Sequence, residues 1–297
     1  SSTNYISPIV SYLSNGIVLN CSSSGIIFAS STASIDGSYV GGIVARNEYG
    51  SINKCFSTVS ISNNNKGTTF TGGIVGYNGS DKQKQGKIEN CYIKDNNIFS
   101  SCSEDTASSY VGGIVGYNFG LVNKCFSIEA NINAKITTYQ GFAGGIVGDN
   151  NGGEINNCFS SSNVNIISDT GNTFFGSIMG RNFHSTLLSK SGTMENNYGF
   201  EGQKITFSSN ETLKSRHTKQ NVQLATLQQI TSAEWYKNIL QYDEFLIKDG
   251  FYPSLNTSFK KINLNLEKGT PSNPYLIETI DDLKNINPNY SYKLTKN

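Results

Sequence analysis

The sequence predicts an all-β fold: a parallel β-helix solenoid of about six coils, taken as right-handed by analogy with most β-helices, with a small C-terminal cap containing a short helix. Three observations lead there. A Gly-Gly-Ile-Val run recurs at Gly41, Gly72, Gly112 and Gly144, decays at Gly176, and has a divergent precursor between Ser7 and Cys21. The first glycines of each unit give periods of 31, 40, 32 and 32 residues, and the cysteines at 21, 55, 91, 125 and 158 keep step with them. Finally, no apolar run inside a unit reaches the ten or more residues that favour a helix. One such unit cannot bury its own apolar face, whereas stacked units share a continuous core.

Each unit holds three short apolar runs. They are the Gly-Gly-Ile-Val run, a run ending in Cys and an aromatic residue, and a third such as 59–61 or 164–167. Clusters of Asn, Gly and Ser, as at 63–67 and 149–153, read as turns requiring positive φ between strands. Stacking places equivalent residues about 4.8 Å apart. Cys21, Cys55, Cys91, Cys125 and Cys158 then form an interior ladder of reduced, small, apolar thiols, although that spacing would also admit a bridge. Asn197 takes the cysteine position in the last coil and either continues or ends the column. Cys102 is out of phase, in the insert that lengthens one period, and is expected in a loop. Phe56, Tyr92, Phe126 and Phe159 form a second column, expected inside or at a corner. Tyr77 and Tyr117 occupy equivalent positions of adjacent coils and leave two readings open. They stack structurally, or they point outward beside Asn and Ser as a candidate binding site for a sugar or a protein partner.

The pattern Gly-Gly-Ile-Val-Gly-Tyr-Asn at 72–78, followed by Asn-Cys-Tyr at 90–92, resembles the GLUG motif. That repeat occurs in large secreted and surface proteins, including adhesin-like proteins and M26-type immunoglobulin A peptidases. The resemblance covers roughly 7–200 and implies an extracellular or cell-surface repeat region without chemistry of its own.

After residue 200 the repeat stops, so the expected domains are 1–200 as repeats, 201–255 as terminal coil and cap, 256–268 as linker and 269–297 as the start of a further module. Thr231 and Glu234 read as a capping box for a helix carrying Trp235, Ile239 and Leu240, placed to plug the open end of the solenoid. The 235–255 stretch also resembles the segment that ends GLUG regions. Ile262, Leu264 and Leu266 alternate with Asn263 and Asn265 in the linker, and Gly269 to Ile277 resembles a module opening, which implies a piece of a longer tandem protein.

Lys plus Arg number 23 against 22 acids, a net charge of +1, so no basic field speaks for nucleic acid. No run approaches the roughly 18 apolar residues of a membrane span, and no basic-then-apolar leader opens the sequence. The two histidines, His184 and His217, form no His-Glu-x-x-His arrangement, and Gly-x-Ser-x-Gly, a phosphate loop and Cys-x-x-Cys are all missing. The residues before the turn Asn are Arg46, Tyr77, Tyr117, Asp149 and Arg181, which is no ladder of acids for a polysaccharide enzyme. The run 149–154 lacks calcium-loop spacing. Catalytic residues, metal ligands and cofactors are therefore not expected. Five Asn-x-Ser/Thr sequons, at Asn20, Asn78, Asn210, Asn256 and Asn289, are what this composition gives by chance. Three functions stay open, in this order: a non-enzymatic surface adhesin or stalk segment, an extracellular filament subunit, and a carbohydrate-active enzyme. The partners they imply are host or surface glycans or proteins, or copies of the chain end to end.

Overall fold

The computed structural model describes residues 3–32, 37–80, 85–137, 139–169, 172–185, 190–208, 216–217, 222–262, 275–277 and 292–294. Within them the chain is a parallel β-solenoid whose coils, at 3–31, 37–65, 69–102, 108–136, 140–168 and 173–208, stack in register. Four sheets run along the axis rather than the three expected from the apolar runs. In the fourth coil the strands are Ser108–Gly112, Val115–Asn118, Leu121–Asn123, and then Phe126–Ile128 with Asn131–Ile136 in one last sheet.

The Gly-Gly pair makes the difference. It folds one apolar run into a sharp corner between the first and second sheets. A Cβ on Gly113 would lie 2.1 Å from the Gly145 carbonyl oxygen and 2.6 Å from Ser127 Oγ, so this corner presses across the interior onto the fourth sheet. Ser57 and Ser160 face Gly42 and Gly145 in the same way. A different device turns the third sheet into the fourth. Asn20, Lys54, Asn90, Lys124, Asn157 and Asn196 all adopt left-handed φ between 52° and 55°, a conformation Asn tolerates best among residues with a Cβ. Each stands immediately before the cysteine position and turns the next side chain inward.

Between these corners alternate residues point into a packed interior. Ile43, Ile74, Ile114, Ile146 and Ile178 are fully buried, as are Val44, Val75, Val115 and Val147 and the column Ile52, Ile88, Val122 and Ile155. The interior is not wholly apolar. Asn63 sits in the strand Phe56–Asn65, not in the turn expected at 63–67, and is fully buried. It accepts from Ser38 Oγ at 2.9 Å and donates to Thr71 Oγ1 at 2.9 Å, so hydrogen bonds compensate its desolvation. The run 149–153 does turn through positive φ, at Gly152.

The extra residues of the 40-residue period are shared among corners, notably between Asn78 and Lys87 and between Cys102 and Ser108. Cys102 is thus not a loop thiol. It closes the strand Asn97–Cys102, pairs in register with Asn65 and Ile136, and is buried.

The expected end plug is also corrected. Two short helices, α1 (Leu227–Ile230) and α2 (Ala233–Asn238), do lie near the C-terminus, but the segment that carries them covers a flank of the solenoid. Ile205–Ser208 and Val222–Ala225 extend the fourth sheet. The chain then runs back past earlier coils, laying Trp235, Tyr236, Tyr242, Phe245 and Tyr252 on the column Tyr92, Phe126, Phe159 and Tyr198. That column stacks ring on ring, with Tyr92 4.7 Å from Phe126, yet on the outside of the fourth sheet, where only a second layer of chain could bury it. Tyr242 Oη donates to the Cys125 carbonyl at 3.2 Å. Ion pairs Lys54–Glu244 and Lys124–Asp243 fasten the segment to the second and fourth coils.

The helix signals sit one residue away from the expected box. Ser232 caps α2 and accepts from Trp235 N at 3.3 Å, whereas Thr231 closes α1 by donating to the Leu227 carbonyl; the complete box is Thr226 with Gln229. Residues 256–262 belong to this flank rather than to a linker, since Tyr252 N donates to the Lys260 carbonyl and Ile262 is buried in the same cluster. The alternation at Leu264 and Leu266 lies outside the described residues. So does most of 269–297, where Tyr275–Ile277 pairs in parallel with Tyr292–Leu294.

Candidate functional site

Four axial columns carry the chemistry-bearing side chains, and the cysteines form the first. Cys55, Cys91, Cys125 and Cys158 are fully buried, Cys21 is half-buried, and all are free thiols. Each buried Sγ donates to the carbonyl two residues back at 3.1–3.2 Å, which fixes its rotamer. Asn197 continues the column: its amide accepts from Cys158 N at 2.9 Å and donates to the Ile155 carbonyl at 2.7 Å. Burial pushes the Cys91 and Cys125 thiols well above their usual range and Cys102 up to about 12. These thiols stay neutral when folded but ionise above about pH 8.5 when unfolded. Their contribution is thus fully present below that pH and is lost as pH rises, by about 1.4 kcal/mol per thiol per pH unit. Thermal unfolding followed from pH 7 to 10 should show the melting temperature falling steeply above pH 8.5; a flat profile would contradict thiol burial.

A second column is absent from the sequence reading. Asn47, Asn78, Asn118, Asn150 and Asn182, at the corner between the second and third sheets, bond amide to amide at 2.8, 2.9, 2.8 and 2.9 Å. Each amide also donates to a glycine carbonyl of its own corner, as Asn118 does to Gly120 at 3.0 Å. The recurrence of Asn six residues after the first glycine was the signal. Read as a turn preference, it hides a buried ladder. The sequon at Asn78 is thereby closed to glycosylation in the folded chain, because that residue is fully buried.

The third column is the candidate pair Tyr77 and Tyr117. The two rings stack at 5.2 Å, and both meet Phe70 of the first sheet edge-on. The Arg46 guanidinium lies 5.1 Å from the Tyr77 ring centroid. Tyr117 additionally meets Tyr110 and Phe119 edge-on, and its hydroxyl accepts from the Asn151 amide. Burial, followed by the charge of Asp149, pushes the Tyr117 hydroxyl up to about 12. A sugar stacks on an open ring face, but here the face of each ring is turned to a neighbour along the axis.

Next in this line, Asp149 is fully buried and held by both arms of Arg181, at 2.9 and 2.7 Å. Arg181 in turn covers the Phe142 ring at 4.2 Å. Burial raises the Asp149 carboxyl even though Arg181 pulls it down. With its carboxylate enclosed by this fork, Asp149 is a structural charge. Among the described residues no group of three or more His, Cys, Asp or Glu is arranged to hold a metal ion. His184 and His217 lie on the separate strands Met179–Ser185 and Arg216–His217.

The fourth column is a row of outward polar residues on the third sheet. Asn123, Asn156 and Glu195 line up on adjacent coils and form one side of a polar groove of about 750 Å³.

Residues 36–62 match the family model of the GLUG motif. The chain carries the GLUG motif. In this structure the matched stretch makes one circuit of the solenoid, from the strand Gly37–Gly41 through the Gly-Gly corner to the strand Phe56–Asn65. The same circuit recurs in the next three coils, each with a Gly-Gly pair at the first corner and a buried Asn at the second. No curated protein matches the chain. Among solved structures it is similar to a crystal structure described as "a putative immunoglobulin A1 protease from Bacteroides ovatus", with 19% identity, a TM-score of 0.40, and coverage of 75% of this chain and 69% of that one. No described helix is long and apolar enough to cross a membrane.

Proposed function

We propose that this GLUG chain is a non-enzymatic structural and adhesive solenoid, outside the cell or on its surface, within a larger surface protein. The observation that carries this reading is the axial continuity of the interior. One apolar cluster runs from Leu13 to Met179, beside an unbroken Asn ladder, so the coils behave as a single stiff body. Six coils at about 4.8 Å give a body roughly 30 Å tall, able to hold its flanks at fixed separation. Filling the interior with side chains leaves the outer faces as the surface available to a partner.

End-to-end assembly is the second reading, and the first coil favours it. Its Ile17, Ile26 and Phe28 are 73%, 69% and 80% exposed, an apolar edge that another coil could cover. Light scattering across a hundredfold concentration range separates the two. A constant mass near 32.3 kDa is expected for the spacer, and mass growing with concentration would replace it with the filament. Release of reducing ends from a polysaccharide panel would overturn the non-enzymatic reading altogether.

A further inference from the structure

We infer that the polar groove between the third sheet and the returning C-terminal segment is a carbohydrate-binding subsite, suited to a neutral or amino-sugar oligosaccharide. The inference rests on the adhesive part of the proposed function and supplies the contact surface that the tyrosine pair does not.

The groove draws on parts of the chain far apart in sequence. Its floor is the outward face of the third sheet, where Asn156 and Glu195 occupy the same register position on consecutive coils beside Glu154. Asn157 and Asn196, two of the left-handed corner residues, form one margin, Gln223 enters from the strand Val222–Ala225 that extends the fourth sheet, and Gln241 from the segment that folds back. Some of these amides are already committed. Asn196 donates to Asn157, which donates to Asn123, and this chain fixes the margin. Glu154 is engaged by Lys190 at 2.5 Å. By contrast the side chains of Asn156, Glu195, Gln223 and Gln241 make no hydrogen bond among the described residues, and none is buried. Two acids and a set of amides thus converge on one concavity, with four of the side chains uncommitted.

The donor set selects the ligand class. An amide offers a donor and an acceptor on one planar group, and a carboxylate accepts from two adjacent hydroxyls at once. Vicinal hydroxyls of a sugar, each both donor and acceptor, match that set. Phosphate, sulfate and nucleic acid do not, since the lining holds the carboxylates of Glu154 and Glu195 and, among the described residues, no Lys or Arg, while Lys190 is already bound to Glu154. Leu121 is the apolar group of the lining, too little to hold a lipid or an aromatic ligand. The volume of about 750 Å³ lies within the ordinary range of small-molecule sites, about 300–1,000 Å³. Floor positions that recur every 4.8 Å or so along the axis offer successive hydrogen bonds to a linear saccharide.

The test uses the full 297-residue chain on an array of neutral, amino, sulfated and sialylated glycans, followed by titration with the best neutral or amino glycan. Glu195→Gln, and the double variant Asn156→Ala with Gln223→Ala, alter the exposed Glu195 and Gln223 and the half-buried Asn156, whose side chains make no hydrogen bond among the described residues. They should melt like the parent while losing at least tenfold in affinity. Asn97→Ala, on the fourth sheet, should lose nothing. Unchanged affinity in both groove variants would overturn the groove and leave the adhesive reading standing. A preference for sulfated or sialylated glycans would also overturn it. Should the parent chain retain no glycan at all, the groove falls, while the adhesive reading is left to protein partners and the solenoid's spacer role is judged separately by its mass in solution.

Discussion

Gly113→Ala is expected to remove about 4 kcal/mol or more of stability, above the 1–3 kcal/mol usual for an overpacked core. The reason is the nature of the obstacle. The added methyl would sit 2.1 Å from the Gly145 carbonyl oxygen, which is backbone of the next coil, and 2.9 Å from Ser127 Cβ across the interior. No rotamer change clears a carbonyl, so relief requires the fourth and fifth coils to separate. Separation breaks the bonds that join them at this corner, Gly113 N to the Gly144 carbonyl at 3.2 Å and Ile114 N to the Ile146 carbonyl at 2.9 Å. Gly37→Ala is the milder comparison, because its Cβ would meet side-chain atoms of the Tyr39 ring alone, at 2.8–3.2 Å, and no backbone of a neighbouring coil. Urea denaturation of both variants checks the argument: a midpoint shift several times larger for Gly113→Ala is expected. Equal shifts would mean that the corner is not under the constraint described.

Asn118→Ala carries the second large effect, about 3–4 kcal/mol. Its amide donates to the Gly120 carbonyl and to Asn150 Oδ1, and its oxygen accepts from Gly120 N at 3.1 Å and from Asn78 Nδ2 at 2.9 Å. Truncation leaves several groups buried without a partner, each costing about 1–3 kcal/mol before partial relaxation. Asn118→Asp keeps the shape but loses both donors, and should be as harmful near neutral pH. Asn97→Ala, removing an exposed acceptor of the Asn131 amide, should cost no more than about 1 kcal/mol. If Asn118→Ala unfolds at the same urea concentration as the parent chain, the ladder is not a stabilising element.

The two predictions concern features of unequal legibility. The glycine corner was on the page as a repeat, but its angle was not. Gly112 and Gly113 read as the start of one strand, and only the Ser127 column opposite, with the carbonyl of Gly145 above, shows why the chain must bend there. The asparagines were legible as turn residues; that five of them bond to one another depends on equivalent corners lying one coil apart. Cys102 shows the same limit. Its phase in the sequence is wrong for the cysteine ladder, yet strand pairing brings it beside Asn65 and Ile136, since the extra residues of its coil are taken up at corners. In the groove, Asn156 and Gln223 are too distant in sequence for any spacing to join them.

The sequence by itself determined the solenoid: a period near 32 residues, runs too short for helices and in-phase cysteines leave stacking as the way to bury each coil. It determined the register as well, because a one-residue slip would turn every inward Ile, Val and Cys outward. The tertiary structure alone decided which face of each coil is covered by what. Whether Phe126 and Tyr92 point in or out, whether the last helices close an end or line a flank, and whether Tyr77 offers a free ring depend on contacts between residues dozens of positions apart. Local periodicity fixes which side chains share a face; it carries no information about what the rest of the chain lays upon that face.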